Sequence, residues 1–201
     1  MAQEPVLTLE PNGHIYRLDG RAVSSVTQVI DFLNSYAGAS WDVIERAREL
    51  GQAVHLATAL HDRDDLDDKS VDPAVRPYLD AWIRFREDTS LVMELIEHRV
   101  YSSHHGYAGT LDRVARGALG HALIDIKACA KIMPANGPQT AAYKQALIER
   151  SHVGAQCLRR YTVRLDPDLT PPYRIEPHHD PNDFNVFLCS LQIANWRKQW
   201  K

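Results

Sequence analysis

Near its start the chain alternates apolar and polar positions in two short runs, Val6-Leu7-Thr8-Leu9 and His14-Ile15-Tyr16-Arg17-Leu18, around Pro11-Asn12-Gly13. Alternation on both sides of an Asn-Gly pair predicts a β-hairpin. Asp19-Gly20 makes a second turn, and Ser24-Ser25 caps a short helix bearing Val26, Val29, Ile30 and Leu33. From Trp41 to about His61 the spacing becomes helical, opened by Ser40 and bent at Gly51, with Trp41, Ile44, Ala47, Val54 and Ala57 available for burial. Asp72-Pro73 reads as the cap and first turn of the next helix, where Tyr78, Trp82 and Phe85 form a packing stripe.

Three strand-like segments follow, Leu95–Tyr101, Tyr107–Arg116 and His121–Ala128, and the turn Arg116-Gly117-Ala118-Leu119-Gly120 pairs the last two as an antiparallel hairpin. Pro138 begins a helix with Gln139, Tyr143 and Leu147 on one side. Strands are expected near Gln156–Leu165 and Tyr173–Pro177. A final amphipathic helix then runs from about Asn182 to Trp200, burying Phe184, Phe187, Leu188, Leu191 and Trp196. This order predicts an α/β (α+β) fold, a central mixed β-sheet flanked by helices.

Composition adds limits. With 201 residues, 44% apolar and 24% charged, the chain is expected to form one soluble domain, 1–201. Within it, 1–40 holds the N-terminal hairpin and helix, 41–150 the chemistry-bearing core, and 151–201 the last strands and helix. No uncharged apolar run approaches the ~18 residues of a membrane helix. Met1-Ala2-Gln3-Glu4-Pro5 lacks the pattern of a secretory signal, so a cytoplasmic setting is expected, with Cys129, Cys157 and Cys189 as reduced thiols. The aspartates between Asp62 and Asp72 lack the glycine and glutamate of a calcium loop and read as a solvated surface run. The net charge of −3 divides into −8 for residues 1–100 and +5 for residues 101–201. A basic half can carry a phosphate-binding surface on a mildly acidic chain. Lys131, Lys144, Arg159 and Arg160 are the candidates there.

The candidate chemistry lies in Gly109-Thr110-Leu111-Asp112 and Leu123-Ile124-Asp125-Ile126-Lys127. Residues two apart on a strand share a face, so Asp125 and Lys127 point one way while Ile124 and Ile126 enter the core. The hairpin brings Asp112 towards Asp125. Carboxylates gathered at a buried sheet need a cation or protons, and hard oxygen ligands favour Mg²⁺ or Mn²⁺. A lysine beside such a site suits phosphodiester hydrolysis. An Asp-x-Lys triplet alone reads first as a surface ion pair.

The company of these residues changes the reading. Gly51-Gln52-Ala53-Val54-His55 precedes them, Glu97 lies on the strand before Asp112, and Gln139-Thr140-Ala141-Ala142-Tyr143 follows Lys127. The series GxxxH, GxxD, (D/E)xK and QxxxY resembles the PD-(D/E)xK nuclease superfamily in its lambda-exonuclease/RecB-like branch. The resemblance implies a restriction-endonuclease-like core and a Mg²⁺- or Mn²⁺-dependent deoxyribonuclease using one or two ions. By it, His55, Asp112, Asp125 and the Ile126 carbonyl hold metal, and Lys127 is the catalytic lysine. Glu97 supports a second ion or its water, and Gln139 and Tyr143 touch the scissile nucleotide or support the metal site. Leu111 replaces the proline of the superfamily name and Asp125 the commoner glutamate; this branch tolerates both. Its four-cysteine iron–sulfur cluster is absent from the sequence.

The function implied is exonucleolytic hydrolysis of DNA ends in phage-type recombination or repair. The partners implied are duplex DNA ends, a single-strand annealing protein and further copies of the chain in a homo-oligomer, with no membrane. Two alternatives stand beside it: a catalytically inactive DNA-binding module that keeps the fold, and a structure-specific endonuclease. The pairs His104-His105 and His178-His179 lie outside the motifs, are assigned no role and are expected on surface loops.

Overall fold

The computed structural model describes residues 5–10, 13–34, 40–128 and 131–200. Strand β1 (Leu7–Glu10) pairs antiparallel with β2 (Ile15–Leu18), as the alternation predicts, although Pro11 and Asn12 of the intended turn lie outside the described residues. β3 (Arg21–Ser25) follows Asp19-Gly20, where both residues take the left-handed conformation of a tight reversal. The short helix α1 (Val26–Ile30) buries Val26, Val29 and Ile30, but Ser25 makes no side-chain cap. Cys129 also lies outside the described residues; Cys157 and Cys189 are unpaired and exposed.

Helix α2 (Trp41–Asp62) runs through Gly51 without interruption. A single glycine costs a helix only about 1 kcal/mol, and the other residues of this long run carry it across. Only the second half of α2 packs. Val54, Ala57, Thr58 and Ala59 are buried, whereas Trp41, expected in the core, is 74% exposed. Asp72-Pro73 is not the first turn of α3, which runs from Arg76 to Thr89. Asp72 Oδ1 instead accepts from Ala74 N at 2.7 Å, closing a separate turn before the helix. Trp82 and Phe85 are fully buried as the stripe requires.

The eight strands of the described residues form one sheet, seven of them in the order β1-β2-β3-β5-β6-β7-β8, with β4 (Val92–Ser102) on the remaining side of β5 (Tyr107–Gly117). β6 (Gly120–Lys127) pairs antiparallel with β5 and parallel with β7 (Arg159–Leu165), and β8 (Tyr173–His178) closes that end. Gln156 and Cys157, expected to begin a strand, instead belong to a 3₁₀ turn (Ala155–Cys157) after the left-handed Gly154. Helices α4 (Asn136–Glu149) and α5 (Asp183–Lys198) pack with α1 on one face of the sheet, around Leu111, Val114, Leu123 and Phe187. α2 and α3 cover the other, around Ile124, Ile126, Val163 and Trp82. Phe187 and Leu191 carry the buried stripe of α5, but Trp196 is 58% exposed, because nine residues on from Phe187 it falls on the opposite side of the helix. Ser24 Oγ donates to Asn195 Oδ1 at 2.9 Å and accepts from Lys198 Nζ at 2.8 Å, tying β3 to the end of α5.

Where the sheet divides matters most. One edge of β5 pairs with β3 at Tyr107 and Ala108 and with β6 only from Arg113 onwards. Between these registers lies Gly109–Asp112, the GxxD segment. The strands diverge there, and the gap becomes the mouth of a cleft.

Candidate active site

Asp112 occupies the point of divergence. Its Oδ2 accepts from Ile126 N at 2.6 Å, taking the place of the strand carbonyl that continued pairing would supply. The motif aspartate is thereby part of the backbone ladder and has little freedom to rotate. Asp125 and Lys127 share a face of β6 as the alternation requires, with Lys127 Nζ donating to Asp125 Oδ1 at 2.8 Å. The other Asp125 oxygen accepts from Asn136 Nδ2 at 3.3 Å and lies 3.5 Å from Thr162 Oγ1. Neither Asn136 nor Thr162 belongs to the four sequence motifs. Asn136 opens α4 three residues before Gln139, and Thr162 faces Asp125 in the β6–β7 register, so both are set by packing rather than local spacing.

His55 projects from α2 across the same opening. Its Nδ1 lies 3.6 Å from Asp112 Oδ1 and 3.7 Å from Glu97 Oε1. His55, Glu97 and Asp112 place one ligand atom each within 4.8 Å of one another, the only such His/Cys/Asp/Glu group of three or more among the described residues. Asp125 stands beside this group rather than in it, held by Lys127. Glu97 reaches the cleft through an irregularity: its φ is +47°, and the β4–β5 register runs from Ile96↔Arg113 to His98↔Leu111 around it. A left-handed glutamate costs about 1 kcal/mol or more and persists only where surroundings impose it. Arg63 Nη2 donates to the Ile96 carbonyl at 2.8 Å and Arg113 Nη1 to Glu97 Oε1 at 2.9 Å, bracketing the distortion.

The electrostatics follow from this crowding. Burial opposes charge on His55, but the Asp112 and Glu97 carboxylates outweigh it and raise its pKa above the ordinary value. Burial likewise opposes charge on Glu97, yet His55 and Arg113 bring its pKa below normal. Asp125 goes the other way: burial, reinforced by the Asp112 charge, raises its carboxyl despite Lys127. Burial also pushes the Tyr143 hydroxyl well above its usual value, with Asp112 adding to the effect. It therefore stays a donor. Gln139 Nε2 approaches Tyr143 Oη at 3.4 Å, one helical turn away.

A cleft of about 460 Å³ joins these groups, lined by His55, Glu97, Asp112, Lys127, Gln139 and Tyr143 and walled further out by His14, Tyr16 and Arg63. Of the motif residues, Asp125 and Ile126 lie just behind this lining. Gly109 is explained by the neighbours it admits. A Cβ there would meet Tyr143 Cε1 at 2.6 Å and Val26 Cγ2 at 3.2 Å, and both side chains are buried. Gly109→Ala is expected to cost about 1–3 kcal/mol through overpacking and to displace Tyr143; urea denaturation checks the first effect.

Other expectations change. Lys144 Nζ is bound to the Leu158 carbonyl at 2.8 Å, and Arg160 to the Gly137 carbonyl and the Asp183 carboxylate, both at 2.9 Å. Two of the four proposed phosphate contacts are thus engaged inside the fold, and Arg63, from the acidic half, lines the cleft instead. His178 is not on a loop: it ends β8 and its ring Nε2 is 2.8 Å from Thr162 Oγ1. Asp62 is not part of a solvated run. Its carboxylate is wholly buried at the end of α2.

The mixed sheet, which splits to present Asp112, Asp125 and Lys127 between two helical layers, is a fold the chain shares with a solved structure. Among solved structures, the chain is similar to a candidate exonuclease from Eubacterium rectale, with a TM-score of 0.54 at 14% identity, covering 87% of this chain and 79% of that one. It is also similar to the alkaline exonuclease LHK-Exo of Laribacter hongkongensis in complex with dAMP, with a TM-score of 0.47 at 12% identity over 88% and 89% of the two chains. No protein-family model matches the sequence, and no curated protein matches it significantly. No described helix is long and apolar enough to cross a membrane.

Proposed function

We propose that this chain is a metal-dependent DNA exonuclease. The observation that carries the proposal is the convergence of His55, Glu97 and Asp112 within 4.8 Å, beside the Asp125–Lys127 pair, at the point where the sheet divides. The donor set fits a divalent cation: one imidazole and clustered carboxylates, among which burial, with the Asp112 charge adding to it, raises the Asp125 carboxyl, and a cation would favour its charged form. His55, Asp112, Asp125 and the Ile126 carbonyl would hold Mg²⁺ or Mn²⁺, with Glu97 supporting a second ion or its water. Such a cation supplies Lewis acidity and charge stabilisation for an in-line displacement at phosphorus.

The rest of the work falls to the chain. Lys127 places an ammonium beside the carboxylates, where it assists the attacking water and stabilises charge developing on the phosphate. Tyr143, kept protonated, donates a hydrogen bond to the scissile nucleotide, and Gln139 orients it. Arg63 on the cleft wall meets the phosphate backbone. The preference for exonucleolytic action draws on the QxxxY segment and on the exonuclease naming of the E. rectale structure with the same fold. Duplex ends as substrate, a role in phage-type recombination or repair, an annealing protein as partner and a homo-oligomeric assembly belong to this proposal on the motif resemblance alone.

Linear and covalently closed duplex DNA, each incubated with the protein and Mn²⁺, test the reading. Digestion of the linear form alone is expected. Cutting of the closed circle would replace exonuclease by endonuclease, and binding without cutting would reduce the chain to a DNA-binding module.

A further inference from the structure

Arg113 is the residue after Asp112, and its side chain is 0% exposed. A guanidinium taken wholly out of water is costly, and an apolar residue of the same volume often serves a core as well or better. This one uses its donors in two directions. Behind, Nε donates to Asp62 Oδ2 at 2.6 Å and Nη2 to Thr58 Oγ1 at 3.1 Å, while the Trp82 ring lies 5.6 Å from the guanidinium carbon. In front, Nη1 donates both to Glu97 Oε1 at 2.9 Å and to the Asp112 carbonyl at 2.8 Å. Asp62 is itself immobilised, accepting from Trp82 Nε1 at 3.0 Å and Arg86 Nη1 at 2.7 Å.

We propose that Arg113 is a positioning residue for the divalent cation: clamped from behind by Asp62, it sets the Glu97 carboxylate and the Asp112 main chain in the arrangement that metal binding requires. The inference rests on the metal-dependent reading of the cleft. Arg113 does not line the cleft, so it acts through the two acidic residues and not on substrate. Asp62 and Thr58 take the bonds of its Nε and Nη2. Its second pair of bonds falls on the two carboxylate-bearing residues of the His55 cluster, one of which holds a left-handed backbone. Asp62 also balances the guanidinium, so that Glu97 keeps negative charge towards the cleft. The fork geometry matters, because a lysine ammonium cannot span Asp62, Glu97 and the Asp112 carbonyl in one plane.

The test is calorimetric titration of Mn²⁺ into wild type, Arg113→Lys and Asp62→Asn, with circular dichroism confirming the folded state at the working temperature. Loss of a residue that orients metal ligands typically costs ~10–100-fold in metal affinity, and that is the weakening expected in both variants. Cleavage of linear DNA by them should recover as Mn²⁺ is raised, which a lost catalytic group would not do. Folded variants that bind Mn²⁺ as tightly as wild type overturn the proposal and leave the nuclease reading intact. Unfolding of both variants makes Arg113 a folding residue and overturns it too. A wild-type protein that binds Mn²⁺ but cuts no DNA removes the nuclease reading alone, and the affinities still decide on Arg113. A wild type that binds no Mn²⁺ removes both.

Discussion

Lys127→Ala is expected to lower single-turnover cleavage by about 10² or more at saturating DNA and Mn²⁺, with the fold and most DNA affinity retained. Lys127 is half-buried at the end of β6, with Nζ 2.8 Å from Asp125 Oδ1 and facing the cleft shared by Glu97 and Asp112. Its removal takes away a positive charge from where a phosphate would acquire negative charge. Other cations remain on the surface, so binding of a long polyanion changes little. Lys127→Arg is not expected to rescue the rate, because a guanidinium is bulkier and spreads its charge over a planar fork instead of the compact ammonium. If the pair were only structural, the alanine variant would lose at most ~1 kcal/mol of stability and cut at the wild-type rate.

The second large effect is expected at Asp112, and it has opposite signs in stability and in metal binding. Asp112→Asn keeps an acceptor for the Ile126 amide, so the end of the β5–β6 ladder remains closed. It also removes a charge that raises the Asp125 carboxyl and crowds Glu97. At alkaline pH, where His55 has lost its proton, the metal-free variant should melt above the metal-free wild type. Metal affinity should meanwhile fall by more than the ~10–100-fold expected for a supporting residue, so that Mn²⁺ no longer raises the melting temperature. Calorimetry and melting curves with and without Mn²⁺ read both signs. A variant that is stabilised by Mn²⁺ as strongly as wild type would remove Asp112 from the metal site.

What the sequence allows follows the range of the forces involved. The hairpin carrying Asp112, Asp125 and Lys127 was legible because strand alternation and a glycine turn are local, and the face-sharing of Asp125 and Lys127 follows from the pleat. The spaced motifs, with Glu97 on the strand before Asp112, also pointed to His55, Glu97, Gln139 and Tyr143 as one group, and all four line the cleft. The supports were not legible. Asn136 and Thr162 reach Asp125 only through the packing of α4 and the parallel β6–β7 register. Asp62 looked like one of several solvated aspartates, yet it ends a helix against Trp82, Arg86 and Arg113. The left-handed backbone at Glu97 has no local cue such as glycine, because tertiary contacts impose it. Trp41 and Trp196 were expected in buried stripes but are exposed, Trp41 on the unpacked first half of α2 and Trp196 on the side of α5 opposite Phe187.

The central claim is that this cleft hydrolyses DNA with the help of a divalent cation. End-labelled linear duplex, incubated with the wild-type protein in Mn²⁺ and in excess chelator while bound DNA is measured in parallel, tests it most directly. The account predicts progressive release of label in Mn²⁺ and none in chelator, with protein bound to DNA in both. Bound DNA that stays intact in Mn²⁺, or equal degradation in chelator, would contradict it.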